Sequence, residues 1–222
     1  MIIAVLLLIY SISVGFYIYI KVVYNKFKSI KLKSNMSGFE VSRKILDNYD
    51  LNNVYITESK NRIISNYDIN RKVIRLADGV FNDESLVSAA ISSKEAGHAI
   101  QDKKNDKAYQ IRERLMQFIY ILLIVGYIIT LFGCFFGHIN TIIAGLLIID
   151  IIILFNYMFY SVEKRAIKIA LIELVNSKII AKSEYKKMDR LLKVTSYTTL
   201  AFVAIPVAEL IKKIFMFGDS NK

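Results

Sequence analysis

The sequence predicts a mainly α-helical integral membrane protein with three or four transmembrane helices and a small cytoplasmic α+β segment. Three observations carry that prediction. Ile2 to Ile20 holds no charged residue and is long enough to cross a bilayer as a helix. Leu115 to Val162 is a second apolar block in which Asp150 is the only charge. The composition joins 55% hydrophobic residues to 30 Lys+Arg against 19 Asp+Glu, a net charge of +11. Long apolar runs with a basic excess suit a bilayer protein with cationic cytoplasmic surfaces. No basic stripe is interleaved with aromatic or polar readers on a soluble module, so nucleic acid is excluded as a partner. The lipid bilayer is the partner that the composition itself identifies.

Residues 1–23 read as an N-terminal transmembrane anchor. They lack the basic start and small-residue cleavage site of a secretory signal, so the anchor is expected to stay uncleaved. Lys21, Lys26, Lys28, Lys31 and Lys33 follow it and nothing basic precedes it, which puts the N-terminus outside and the next segment in the cytoplasm. Residues 116–161 read as a transmembrane hairpin of helices at about 116–134 and 140–161. Two glycines and an asparagine between Gly133 and Asn140 mark its turn. That turn has no Lys or Arg and faces outside, so both hairpin ends return to the cytoplasm. Residues 194–222 carry an apolar helix, Val194 to Ala208, that contains Pro206 and precedes Glu209, Lys212 and Lys213. It is either a fourth span or a helix lying against the others. The expected location is the cell membrane, multi-pass. Cys134 is the single cysteine, which excludes an internal disulfide and a cysteine-rich metal site. Asp150 falls near mid-membrane and reads as a helix tie or as a functional carboxylate.

Residues 24–115 have globular composition. Ser37-Gly38-Phe39-Glu40 has capping-box spacing and opens a helix. Val54 to Thr57 and Val73 to Leu76 are strand candidates, with a turn-like Asn66-Tyr67-Asp68 between them. Asn82-Asp83 is expected to cap a helix reaching about Asp102, with Val87, Ile91, Lys94 and His98 on one face. Residues 162–193 read as a basic cytoplasmic helix, amphipathic through Ile167, Ala170, Leu171 and Leu174.

Within the second of these helices lies Ser93-Lys94-Glu95-Ala96-Gly97-His98-Ala99-Ile100-Gln101. In H-E-x-x-H, two histidines four apart share one helical face and grip Zn²⁺, while the glutamate acts as base on the metal's water. Glu95 and His98 hold two of those places. Lys94 stands where the first histidine belongs, and an ammonium has no lone pair for a metal.

Several motifs together resemble the YugP-like family of neutral zinc metallopeptidases, bacterial multi-pass membrane proteins, over nearly the whole length. The family's Ser-Gly-led helix is matched by Ser37-Gly38. Its S-D-H-Y-D-P turn and V-x-R-L strand are matched by Ser65-Asn66-Tyr67-Asp68-Ile69 and Val73-Ile74-Arg75-Leu76. Its A-H-E-x-G-H-A-x-Q helix is matched by Ser93 to Gln101. Its P-V-E-F-D-A-S is matched by Ser161-Val162-Glu163-Lys164-Arg165-Ala166-Ile167. The resemblance implies a zincin-like fold for residues 24–115, zinc as cofactor, Glu95 as the catalytic base and His98 with Glu163 as metal ligands. It also implies a substrate strand added near the metal helix. The first histidine is here Lys94, the turn histidine is Asn66, and D-A-S is Arg165-Ala166-Ile167. A site that has lost a ligand in this way would hold no metal.

Three readings stay open at this point. One is a catalytically impaired family member that binds a cytoplasmic or membrane peptide or protein. Another is an active membrane zinc metallopeptidase with atypical coordination. The third is a non-enzymatic membrane scaffold. Under the first, Lys94 lies on the same helical face as His98, and its ammonium would neutralise Glu95 and Glu163 near the vacated metal position.

Overall fold

The structure is a computed structural model that describes residues 2–59 and 64–208. In chain order the elements are α1 (Ile2–Phe27), α2 (Gly38–Asp47), β1 (Tyr55–Ser59), β2 (Asn66–Asp68), β3 (Val73–Ala77), α3 (Leu86–Lys103), α4 (Lys107–Phe136), α5 (Ile139–Asn176) and α6 (Tyr185–Ser196). The protein is mainly helical, with one small sheet, and divides into two compact units. The first comprises Met1–Tyr19, Arg112–Tyr160 and Tyr197–Lys222; the second comprises Ile20–Ile111 and Ser161–Ser196.

The first unit is built on helices α1, α4 and α5, the three described helices long and apolar enough to cross a membrane. Their outward faces are apolar: Leu8, Phe118, Phe135 and Met158 are all exposed, as suits a surface solvated by lipid. Inside, Ile119, Leu123, Ile149, Ile152 and Val203 form the core. The hairpin turn is tighter than its sequence suggests. Helix α4 runs straight through Gly133 and ends at Gly137, whose φ of 70° is a left-handed conformation that glycine adopts without steric cost. Helix α5 continues without a break past residue 161 as far as Asn176, so Glu163 stands on the same helix as Asp150.

The expected apolar helix from Val194 to Ala208 is interrupted. Helix α6 ends at Ser196, turns occupy 197–203, and helix resumes at 204–208. Pro206 sits in the first turn of that piece, where a missing N–H breaks no bond. The turns are fastened within the unit: Ser13 Oγ donates to the Leu200 carbonyl at 2.9 Å, and the Tyr127 hydroxyl donates to that of Val203. A single helical span starting at Val194 is therefore excluded, while Glu209, Lys212 and Lys213 lie outside the described residues.

The second unit holds the sheet, in the order β1-β3-β2, with β1 parallel and β2 antiparallel to β3. The strand candidates at 54–57 and 73–76 correspond to β1 and β3. Asn66-Tyr67-Asp68 is a strand rather than a turn: it pairs with Val73 to Arg75, and Asp68 ties itself to Arg75 across the pair at 2.8 Å. Helix α2 opens with the expected box, the Glu40 amide donating to Ser37 Oγ at 3.3 Å and the Ser37 amide to Glu40 Oε2 at 2.7 Å. The cap of α3 is Ser85, not Asn82-Asp83. Asp83 lies outside the helix and accepts from the Ser85 and Ser88 hydroxyls. Helix α3 is the centre of this unit, packed on α2, α6, β2 and β3. Every residue from Ser92 to Asp102 is buried, so this stretch of the helix has no solvent face for its polar side chains.

Candidate functional site

Burial of α3 forces its polar residues to find partners inside the protein. Gly97 allows this by bringing α5 against α3: a Cβ at position 97 would stand 2.6 Å from the Ala166 carbonyl oxygen. Glu163, one turn before Ala166, then faces Lys94, Glu95 and His98 of α3. Their exposures are 6% for Lys94, 3% for Glu95, 4% for His98 and 1% for Glu163.

The Lys94 ammonium lies between the two carboxylates, 3.1 Å from Glu95 Oε1 and 3.3 Å from Glu163 Oε2. Burial works against its charge, but Glu163 and Glu95 together outweigh that cost and hold its pKa above lysine's ordinary value. Lys94 is thus a cation here, without a lone pair to offer. Both oxygens of Glu95 are engaged, Oε1 by Lys94 and Oε2 by the backbone amide of Tyr67 at 3.0 Å. Tyr67 is the middle residue of β2, and its hydroxyl donates to Asp102 at 2.7 Å, so α3 holds this edge strand at two points.

His98 Nε2 lies 3.4 Å from Glu163 Oε1. The other ring nitrogen, Nδ1, is 2.8 Å from Gln101 Oε1. Gln101 Nε2 donates to the Val162 carbonyl at 3.2 Å and to Asp106 at 3.3 Å. With the amide so oriented, its oxygen can only accept from His98, and Nδ1 carries the proton. Tyr109 stacks on the imidazole with ring centroids 5.0 Å apart. Asp106 also takes both arms of Arg165, at 3.0 and 3.2 Å.

The structure thus brings together Lys94, Glu95, His98 and Glu163, all four residues singled out in the sequence. His138 lies in the exposed turn between α4 and α5. Asp150 is buried in α5, and neither of its oxygens has a hydrogen-bond partner among the described residues. The sequence gives no role to Tyr67, Gln101 or Asp106. Gln101 stands in the family motif, three residues after His98, and that spacing on a helix is the one signal of its contact.

The family described as "Putative neutral zinc metallopeptidase" matches residues 1–218. The chain belongs to the neutral zinc metallopeptidase family. It is 24% identical over 215 residues to a Bacillus subtilis (strain 168) protein named "Putative membrane protease YugP", with 96% of each chain covered. No solved structure matches. That similarity and the three apolar helices mark a membrane protein.

The family name implies zinc, and the side chains at this site do not fit it. A catalytic zinc takes three protein ligands and a water. Here an ammonium stands between the two carboxylates that would approach a metal. Among the described residues no group of three or more His, Cys, Asp or Glu side chains is arranged to hold a metal ion.

Proposed function

We propose that this chain is a catalytically impaired member of its family, a multi-pass protein of the cell membrane that works by binding a peptide or protein rather than by cleaving one. The N-terminus faces outside and the site faces the cytoplasm, a topology supported by the lysines clustered after α1 and along α5 and α6. The observation that carries the reading is the double engagement of Glu95. A general base needs a free oxygen within reach of the water it activates; one oxygen of Glu95 is bound to Lys94 and the other to the Tyr67 amide. The same amide belongs to the edge strand nearest the site, so a substrate strand adding there would have to displace Glu95.

The orientation of His98 favours a second reading, an active peptidase with atypical coordination. A metal-binding histidine donates its second ring N–H to a fixed acceptor, and Gln101 holds His98 in that arrangement. Metal analysis and a peptidase assay on detergent-purified protein separate the two. Impairment predicts substoichiometric zinc and no hydrolysis of a casein or peptide library. Tightly held stoichiometric zinc together with cleavage would overturn it. Lys94→His tests whether the frame is otherwise intact, since zinc binding should appear in that variant and not in the wild type.

A further inference from the structure

We propose that the Lys94 ammonium is a resident internal cation that takes over the metal's structural task, joining α3 to α5 so that the fold requires no zinc. This rests on the reading above that the site holds no catalytic zinc, and it assigns a task to the lysine found there.

Glu95 and Glu163 are both buried and would face one another without hydration. Two carboxylates so placed need a positive charge between them. Lys94 Nζ supplies it at hydrogen-bonding distance from one oxygen of each. The contact with Glu163 joins residues 69 positions apart, so the ammonium bridges two helices rather than decorating one. The two helices are in close backbone contact beside this bridge, a Cβ at Gly97 standing 2.6 Å from the Ala166 carbonyl oxygen.

A second cation in the same neighbourhood supports the assignment independently. Arg165, two residues after Glu163, grips Asp106, which in turn receives the Gln101 amide that orients His98. Lys94 and Arg165 both stand where the family motif has an uncharged or acidic residue. Two fixed side-chain charges therefore hold this cluster in place of one mobile dication.

The test is thermal unfolding of the full chain in detergent, followed by circular dichroism, with EDTA or added ZnCl₂. The wild-type midpoint should be unmoved by either. Lys94→Met should lower it by about 10 °C or more. Adding Glu95→Gln and Glu163→Gln to Lys94→Met should recover most of that loss, because neutral amides need no counter-charge. Where Lys94→Met does not accumulate, folded protein from the triple variant gives the same answer. A Lys94→Met midpoint equal to wild type, or a triple variant no better than the single one, overturns the proposal. Wild-type protein stabilised by zinc and weakened by EDTA overturns both this inference and the functional reading. Peptide cleavage by zinc-free wild type would sink the functional reading alone.

Discussion

Gly97 of α3 and Ala166 of α5 approach so closely that no side chain fits between them: a Cβ on Gly97 would lie 2.6 Å from the Ala166 carbonyl oxygen. The neighbour is backbone, which cannot rotate away. Gly97→Ala is expected to destabilise the protein by about 1–3 kcal/mol and to loosen Glu163 from Lys94. Gly15 in α1 is the control, with nothing within 4 Å of its Cβ position. Gly15→Ala should be neutral or stabilising by about 0.5–1 kcal/mol. Thermal midpoints of the two variants, measured side by side, check the contrast.

Glu95 is expected to matter to the fold through its two bonds. Glu95→Ala leaves the Tyr67 amide without its acceptor and Lys94 with a single carboxylate, a loss of about 2–4 kcal/mol. Glu95→Gln keeps an oxygen for Tyr67 and should lose less. Limited proteolysis around Asn66–Asp68 gives the local readout, with faster cutting in the alanine variant than in the glutamine one.

Asp106 supplies a pH dependence. Burial pulls its carboxyl up, but the Arg165 guanidinium and the Tyr109 and Ala108 amides pull it down further, and the net position is below the usual carboxylate range. With the native value below the unfolded one, the stabilisation is complete above the unfolded value of about 3.9. It is lost as pH falls through the native value. The midpoint difference between wild type and Asp106→Asn should therefore be constant from about pH 7 to 5 and shrink below about pH 4.

Asp150 should behave in the opposite sense to the site carboxylates. It is buried, with no donor for either oxygen among the described residues, so its polar head costs stability. Asp150→Leu is expected to raise the thermal midpoint, with a gain of about 1–3 kcal/mol. Asp150→Asn, which leaves polar atoms in place, should change it little. A Leu variant less stable than wild type would show that the carboxylate has a partner.

Much of this architecture is local, and the local part is legible in the sequence. The uncharged run after Met1, the Ser37–Glu40 box and the apolar block around Asp150 each depend on neighbours a few residues apart. Lys94 is legible as a problem, because helix spacing alone puts it beside His98. Its pairing with Glu163 is reached from the sequence only through the family resemblance, since helix spacing does not show that the two helices meet at Gly97. The strand at Asn66–Asp68 looks like a turn because three polar-flanked residues carry no period of their own; pairing with β3 and the Glu95 contact hold them extended. The hairpin turn is shorter than the Gly133–Asn140 break, with α4 ending at Phe136 and α5 starting at Ile139, because a glycine inside a helix packs without ending it. The direction of the Gln101 amide depends on Val162 and Asp106, on separate elements, and no window of sequence contains all three.

The amide of Tyr67 has a further effect on how copies of the protein can meet. An open edge strand invites another chain to pair with it, the route by which sheets grow into aggregates. On β2 the central N–H is capped from within by Glu95, and only three residues are available. Glu95 thus shields this border of the sheet from unwanted self-association.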